Sequence, residues 1–226
     1  MRRNHPALAR VKPKITAVLF DLDGTLADTL ADLANATNHA LATLGCAGHP
    51  VEKYRFFVGD GARNLLARAL PAEKRDLVDE GVRLMRAHYE AHCFDETRLY
   101  AGIPELIAAL GAHGRKLAVL SNKPDDFTKR MIAHYFQPSP FAVVCGQLPD
   151  VPLKPDPSAA LRIAEKLGVP PGQWLYLGDT NTDMRTARAA GMRAVGVLWG
   201  FRDREELIAS GADLLVDEPE AVLRLI

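Results

Sequence analysis

Phe20-Asp21-Leu22-Asp23-Gly24-Thr25-Leu26 follows directly on the apolar stretch Ile15 to Phe20, and that junction sets the reading of the whole chain. A short run rich in Val, Leu, Ile and Phe that stops at acids and glycine predicts a buried strand leading into a polar loop. Similar runs recur at Leu117 to Leu120, Ala142 to Cys145, Trp174 to Leu177, Ala194 to Leu198 and Asp213 to Val216. Helical patterns such as Pro157 to Leu167 and Asp183 to Ala190 lie between several of them. Strands alternating with helices predict an α/β fold, a parallel sheet with helices on both faces.

The interval from Asp28 to Asp95 breaks this alternation. Leu30 to Leu44, Ala62 to Leu70 and Ala72 to Tyr89 have amphipathic helical spacing, with no buried strand between them. A helical insertion, 28–95, is therefore expected in a core made of 15–27 and 96–226. Both of its connections would lie near the carboxyl ends of the strands, where open α/β sheets bind ligands, so the insertion can serve as a lid.

Composition excludes several classes. The 28 basic and 28 acidic side chains cancel, which gives no electrostatic ground for nucleic acid or a membrane surface. Any bound anion must be held by a local site. Cys46, Cys93 and Cys145 are widely spaced and odd in number, arguing against a disulfide framework or a zinc site and for a reducing cytoplasm. Residues 1–14 form a basic leader without an apolar core long enough for a signal peptide or a membrane span, and are expected to be flexible.

Asp21 and Asp23 carry the chemistry of the first loop. Two residues apart on a chain still extended, they would point to the same side. Close carboxylates repel unless a cation or a proton compensates them. Gly24 permits a tight turn that leaves backbone N–H groups facing an anion. Alone, an Asp-x-Asp loop is equally compatible with an ordinary turn. Three further segments bear on the choice: Leu120-Ser121-Asn122-Lys123, Leu153-Lys154-Pro155-Asp156-Pro157, and Tyr176-Leu177-Gly178-Asp179-Thr180-Asn181-Thr182-Asp183.

Together, and in this order, the four segments resemble the motifs of the haloacid dehalogenase superfamily, over nearly the whole chain from Ile15 to Ile226. The resemblance implies a Rossmann-like core with a helical cap, acting on a small-molecule phosphate ester. It implies Asp21 as nucleophile and Asp23 as general acid and base, with Ser121 hydrogen-bonding the phosphoryl group and Lys154 neutralising charge. It further implies Mg²⁺ held by Asp21, the Asp23 carbonyl, Asp179 and Asp183, the last directly or through water. Asp183 is also placed to cap the helix that starts there. An acid at position 23 favours phosphoryl chemistry, because displacement of halide needs no protonated leaving group.

The insertion after the first motif is similar to that of phosphoglycolate phosphatases and β-phosphoglucomutases. Val58-Gly59-Asp60-Gly61 resembles the cap loop of the former, although it also suits a plain turn before a helix. Arg63, one helical turn beyond Gly59, is a candidate for a substrate carboxylate. The resemblance extends substrate contact to Thr25, Asn122 and Gly59. A 2-phosphoglycolate phosphatase is expected, as monomer or homodimer. The alternatives are a phosphomutase, a phosphatase for pyrophosphate, a nucleotide or an amino-sugar phosphate, and a non-catalytic binding protein. His88 and His92, at helical spacing with no third ligand evident, are expected on the surface or at an interface.

Overall fold

The structure is a computed structural model that describes residues 14–226. Except for Lys14, the leader lies outside the described residues. Strand β1 (Ala17–Phe20) is fully buried and lies at the centre of a six-stranded sheet. β2 (Ala27–Asp28) pairs antiparallel with β3 (Arg98–Leu99) in a separate two-residue ribbon. The remaining strands are β4 (Lys116–Pro124), β5 (Val143–Gln147), β6 (Trp174–Gly178), β7 (Arg193–Val197) and β8 (Leu214–Val216). The large sheet is parallel throughout, in the order β5-β4-β1-β6-β7-β8. From β1 the chain fills one side of the sheet and then crosses to the other. The carboxyl ends of β4, β1 and β6 thus become neighbours at a reversal of strand order, where such sheets open a crevice.

Side-chain alternation along β1 explains why a continuous apolar run is required. Val18 and Phe20 join one buried cluster, while Ala17 and Leu19 join a second on the opposite face. Each fully buried large side chain, such as Phe20 or Leu19, contributes about 1.5–3 kcal/mol.

Between β2 and β3 the chain is helical: α1 (Leu30–Thr43), a 3-10 turn (Val51–Phe56), α2 (Ala62–Ala69), a second 3-10 turn (Ala72–Leu77) and α3 (Val78–His92). The single helix expected from Ala72 to Tyr89 is therefore divided. Ala72–Leu77 buries no side chain, whereas Val78, Gly81, Met85 and Tyr89 make a buried stripe at helical spacing. The regular helix begins where burial begins. Of the two histidines expected on the surface or at an interface, His92 of α3 is exposed and His88 is half-buried, and His39 of α1 completes a stack with ring centroids 4.4 and 4.3 Å apart. The other helices are α4 (Ile103–Ala112), α5 (Asp125–Tyr135), α6 (Ser158–Lys166), α7 (Asn181–Ala189) and α8 (Arg204–Ala209). No helix among the described residues is long and apolar enough to cross a membrane.

Asp32 ties the start of α1 to the chain returning from α3. Its carboxylate is 2% exposed and accepts from Glu96 N at 3.0 Å, Thr97 N at 2.9 Å and Thr97 Oγ1 at 2.7 Å. Asp32→Ala strands these donors, and each unpaired buried group costs ~1–3 kcal/mol. We expect a loss of about 3 kcal/mol in urea unfolding; a loss below ~1 kcal/mol would mean that water replaces the carboxylate.

Candidate active site

Asp21 follows the last residue of β1, its N–H donating to Leu177 O at 2.9 Å, so the central strand delivers the carboxylate to the crevice. Lys154 Nζ stands 2.9 Å from Asp21 Oδ1 and 2.7 Å from Asp183 Oδ1. Asp21, Asp179 and Asp183 each offer an oxygen within 4.8 Å of the others, all buried. Residues separated by more than 150 positions thus share one small volume.

The turn that follows explains the glycine. Gly24 has φ +80°, and a Cβ there would overlap the Asp179 carboxylate. Asp179 comes off the end of β6 and is fixed from both sides, accepting from Thr25 Oγ1 at 3.1 Å and Phe201 N at 2.9 Å. Thr25 is fully buried and positions this carboxylate. At the start of α7, Thr180 is the N-cap and Asp183 the N3 residue of a capping box, so the cap itself falls three residues earlier than expected. Thr180 N and Oγ1 donate to Asp183 Oδ2 at 3.1 and 2.7 Å, leaving Oδ1 for Lys154. Asp183 thus serves the helix terminus as its N3 residue through Oδ2 and faces Lys154 through Oδ1.

Electrostatics define what the cluster can hold. Burial, then the charge of Asp183, pushes the Asp21 carboxyl well above its ordinary value, with Lys154 pulling the other way. Burial and Asp183 likewise push Asp179 up to about 7. Burial disfavours a charged Lys154, yet Asp183 and Asp21 more than offset this and hold its ammonium well above the ordinary range. Four carboxylates, those of residues 21, 23, 179 and 183, face two ammonium groups, those of Lys123 and Lys154. One divalent cation would balance that deficit, and an all-oxygen donor set suits a hard ion.

A pH dependence follows. Without metal, folded Asp179 holds its proton up to about 7 against an ordinary 3.8. Its stabilising contribution is complete below about pH 4 and is lost as pH rises through about 7. The metal-free melting temperature should fall between about pH 5.5 and 8, by an amount reflecting ~2 kcal/mol. The drop should shrink in Asp179→Asn, and Mg²⁺ should raise the melting temperature more at the higher pH. An equal slope in wild type and variant would remove Asp179 as its source.

A cavity of about 110 Å³ opens above Asp21. Asp23, Ser121 and Lys123 share its polar end, while Val58, Leu65, Met85 and Phe127 supply apolar wall. The loop at Gly59 is held by β4, α7 and the segment before α8: Asn122 Nδ2 donates to Gly59 O at 3.0 Å, Arg202 to Val58 O at 2.9 Å, and Thr182 Oγ1 to Asp60 Oδ1 at 2.8 Å. Asn122 also donates to Lys154 O at 3.0 Å and accepts from Lys154 N at 2.8 Å. Both amide hydrogens are thereby committed to protein carbonyls, so Asn122 orients the lysine loop and the cap loop. Gly59, at φ +124°, lines the cavity with its carbonyl already engaged.

Arg63 is not brought to the cavity. Its side chain is 67% exposed and pairs with Asp79 of α3. Ala62 and Leu65 of α2 face the cavity, and a residue one step along a helix is rotated ~100° from its neighbour. Lys123 was the residue without an expected role. It lies near the carboxyl end of β4, buried to 6% exposure, with Nζ 2.9 Å from Asp23 Oδ1. Burial opposes its charge, but Asp23 holds its ammonium above the ordinary value. A lysine two residues beyond Ser121 in extended chain would share its side, a signal available in the sequence.

The haloacid dehalogenase-like hydrolase family matches residues 18–197. The chain belongs to that family. Among curated relatives, phosphoglycolate phosphatase of Nitrosospira multiformis is 34% identical over 223 residues, covering 94% of this chain and 96% of that one. Phosphoglycolate phosphatase of Pseudomonas putida is 34% identical over 213 residues, 91% of this chain and 78% of that one. A haloacid dehalogenase-like hydrolase of Streptococcus pneumoniae superposes with a TM-score of 0.85 at 26% identity, covering 93% and 98% of the two chains. CbbY of Rhodobacter sphaeroides, solved in complex with phosphate, gives 0.76 at 28% identity over 91% and 95%.

Proposed function

We propose that the protein is a Mg²⁺-dependent phosphatase that hydrolyses a small phosphomonoester, 2-phosphoglycolate in first place, through a phosphorylated Asp21. The observation that carries this reading is the buried cluster itself, with Asp21 2.9 Å from Lys154 and within reach of Asp179 and Asp183. The similarity to phosphoglycolate phosphatases over almost the full chain supports the substrate. The small cavity supports a short ester over a sugar phosphate.

In the first half-reaction an Asp21 oxygen attacks phosphorus, the ester P–O bond breaks, and Asp23 gives its proton to the departing alkoxide. Water then attacks the aspartyl phosphate, Asp23 takes the water proton, and inorganic phosphate leaves with the Asp21 carboxylate restored. Lys154 offsets negative charge at both stages, and Ser121 hydrogen-bonds the phosphoryl oxygens. Mg²⁺, held by Asp21, Asp179, Asp183 and the Asp23 carbonyl, would neutralise charge on the phosphoryl group. Residues 28–95 act as a cap over a core of 15–27 and 96–226, excluding water while the ester is bound. The free cysteines fit a reducing cytoplasm.

A panel of phosphate esters assayed for released phosphate with Mg²⁺ tests the reading. We expect kcat/KM for 2-phosphoglycolate to exceed that for p-nitrophenyl phosphate by at least ~10-fold. Conversion of a sugar phosphate to its isomer without free phosphate would favour a mutase instead.

A further inference from the structure

The polar end of the cavity holds more than the proposed hydrolytic reaction uses. Lys123 Nζ lies 2.9 Å from Asp23 Oδ1, the two side chains being 3% and 13% exposed. The ring of Tyr89, from α3, stands 4.7 Å from the same nitrogen. The Tyr89 hydroxyl is buried, lines the cavity and makes no hydrogen bond of regular geometry, with the Lys123 ammonium close enough to act on it. An ammonium whose close anionic partner is Asp23 and a phenol whose proton has no acceptor therefore sit side by side, facing space next to Asp21. A buried hydroxyl without an acceptor calls for an explanation, and an acceptor supplied by a ligand is one.

Asp23 has two demands on it. In the proposed reaction it must reach the ester oxygen, and while it does so Lys123 faces an apolar wall without its partner, a costly state for a buried cation. A ligand bearing its own carboxylate removes the conflict. We propose that Lys123 and Tyr89 form an anion subsite for a carboxylate on the carbon next to the phosphate ester oxygen, and that this carboxylate replaces Asp23 as the partner of Lys123. Because Nζ is one hydrogen bond from Asp23, and Asp23 one from the ester oxygen, the two acidic groups must be close together. The substrate class is thus the 2-phosphoryloxy carboxylates, with phosphoglycolate the smallest member.

Two other cations of the helical segment, Arg63 and Arg86, have acidic partners of their own. Arg63 pairs with Asp79, and Arg86 turns to Asp126 at the cavity mouth, half exposed. The subsite rests on the phosphatase reading, and ethyl phosphate, which matches phosphoglycolate in carbon count but has no carboxylate, separates the two ideas.

The test compares kcat/KM for 2-phosphoglycolate and ethyl phosphate in the full-length protein, wild type, Lys123→Met and Tyr89→Phe. Binding of both esters to the same variants on an Asp21→Asn background, measured by calorimetry, reads recognition without turnover. We expect the wild-type preference for phosphoglycolate to fall about 100-fold in Lys123→Met and about 5- to 10-fold in Tyr89→Phe, in both assays. Tyr89→Phe removes one oxygen and keeps the ring, so it answers the question even if Lys123→Met fails to fold. A wild-type preference that survives in the folded variants overturns the subsite and leaves the phosphatase standing. A wild type that treats both esters alike overturns the phosphoglycolate reading, and the subsite with it.

Discussion

Asp21→Asn should lower kcat by at least ~10⁴-fold while leaving the fold as stable as before, or more so. The carboxamide has no anionic oxygen to form the aspartyl phosphate, and neighbouring groups cannot stand in, because Asp179 is tied to Thr25 and Phe201 and Asp183 to Thr180 and Lys154. The stability half of the prediction comes from the strain already present. Burial and Asp183 push the Asp21 carboxyl upward, so a neutral side chain relieves repulsion, while Lys154 keeps Asp183 at 2.7 Å. Phosphate release and thermal melting of the metal-free protein check both halves. Activity within ~100-fold of wild type would remove Asp21 as nucleophile.

Lys154→Met should fail in both respects. Loss of a charge that neutralises the phosphoryl group at its transfer should lower kcat/KM by about 10³-fold. The same change leaves two buried carboxylates facing one another without their cation, and breaking a buried pair from one side costs ~3–5 kcal/mol. A sharper check is the double variant Asp21→Asn with Lys154→Met, which removes one of the stranded charges. It should recover part of the stability lost in Lys154→Met alone, a coupling expected of groups in contact. Additive losses would mean that the lysine is held by something other than these carboxylates.

Much of this was visible in the sequence because the signals are local. Phe20 to Leu26 combines the end of a buried run, two acids and a glycine, a pattern that also suits an ordinary turn until the three later strand-end segments are read with it. The limits of legibility are equally specific. Arg63 was a reasonable candidate by spacing from Gly59, but the direction of a side chain on α2 depends on where the helix packs, and it packs with Arg63 toward Asp79. Lys123 stood within a recognised motif with no role: its spacing from Ser121 marks its side of the strand, but nothing within a few residues of it reveals Asp23 and Tyr89 as neighbours. Asp32 carries no local mark either, as its partners Glu96 and Thr97 lie more than 60 residues away.

Sequence alone determined the alternation of strands and helices, the helical interruption after the first loop, and the identity of the acids, because periodicity and strand-end chemistry are written over a few residues. Only the tertiary structure decided which of those groups meet. It brought Asp21, Lys154, Asp179 and Asp183 into one buried cluster, turned Arg63 outward and set Lys123 in the cavity. The reason is that charge compensation acts across a few ångströms of space whatever the separation along the chain, and that proximity is created by the packing of distant elements.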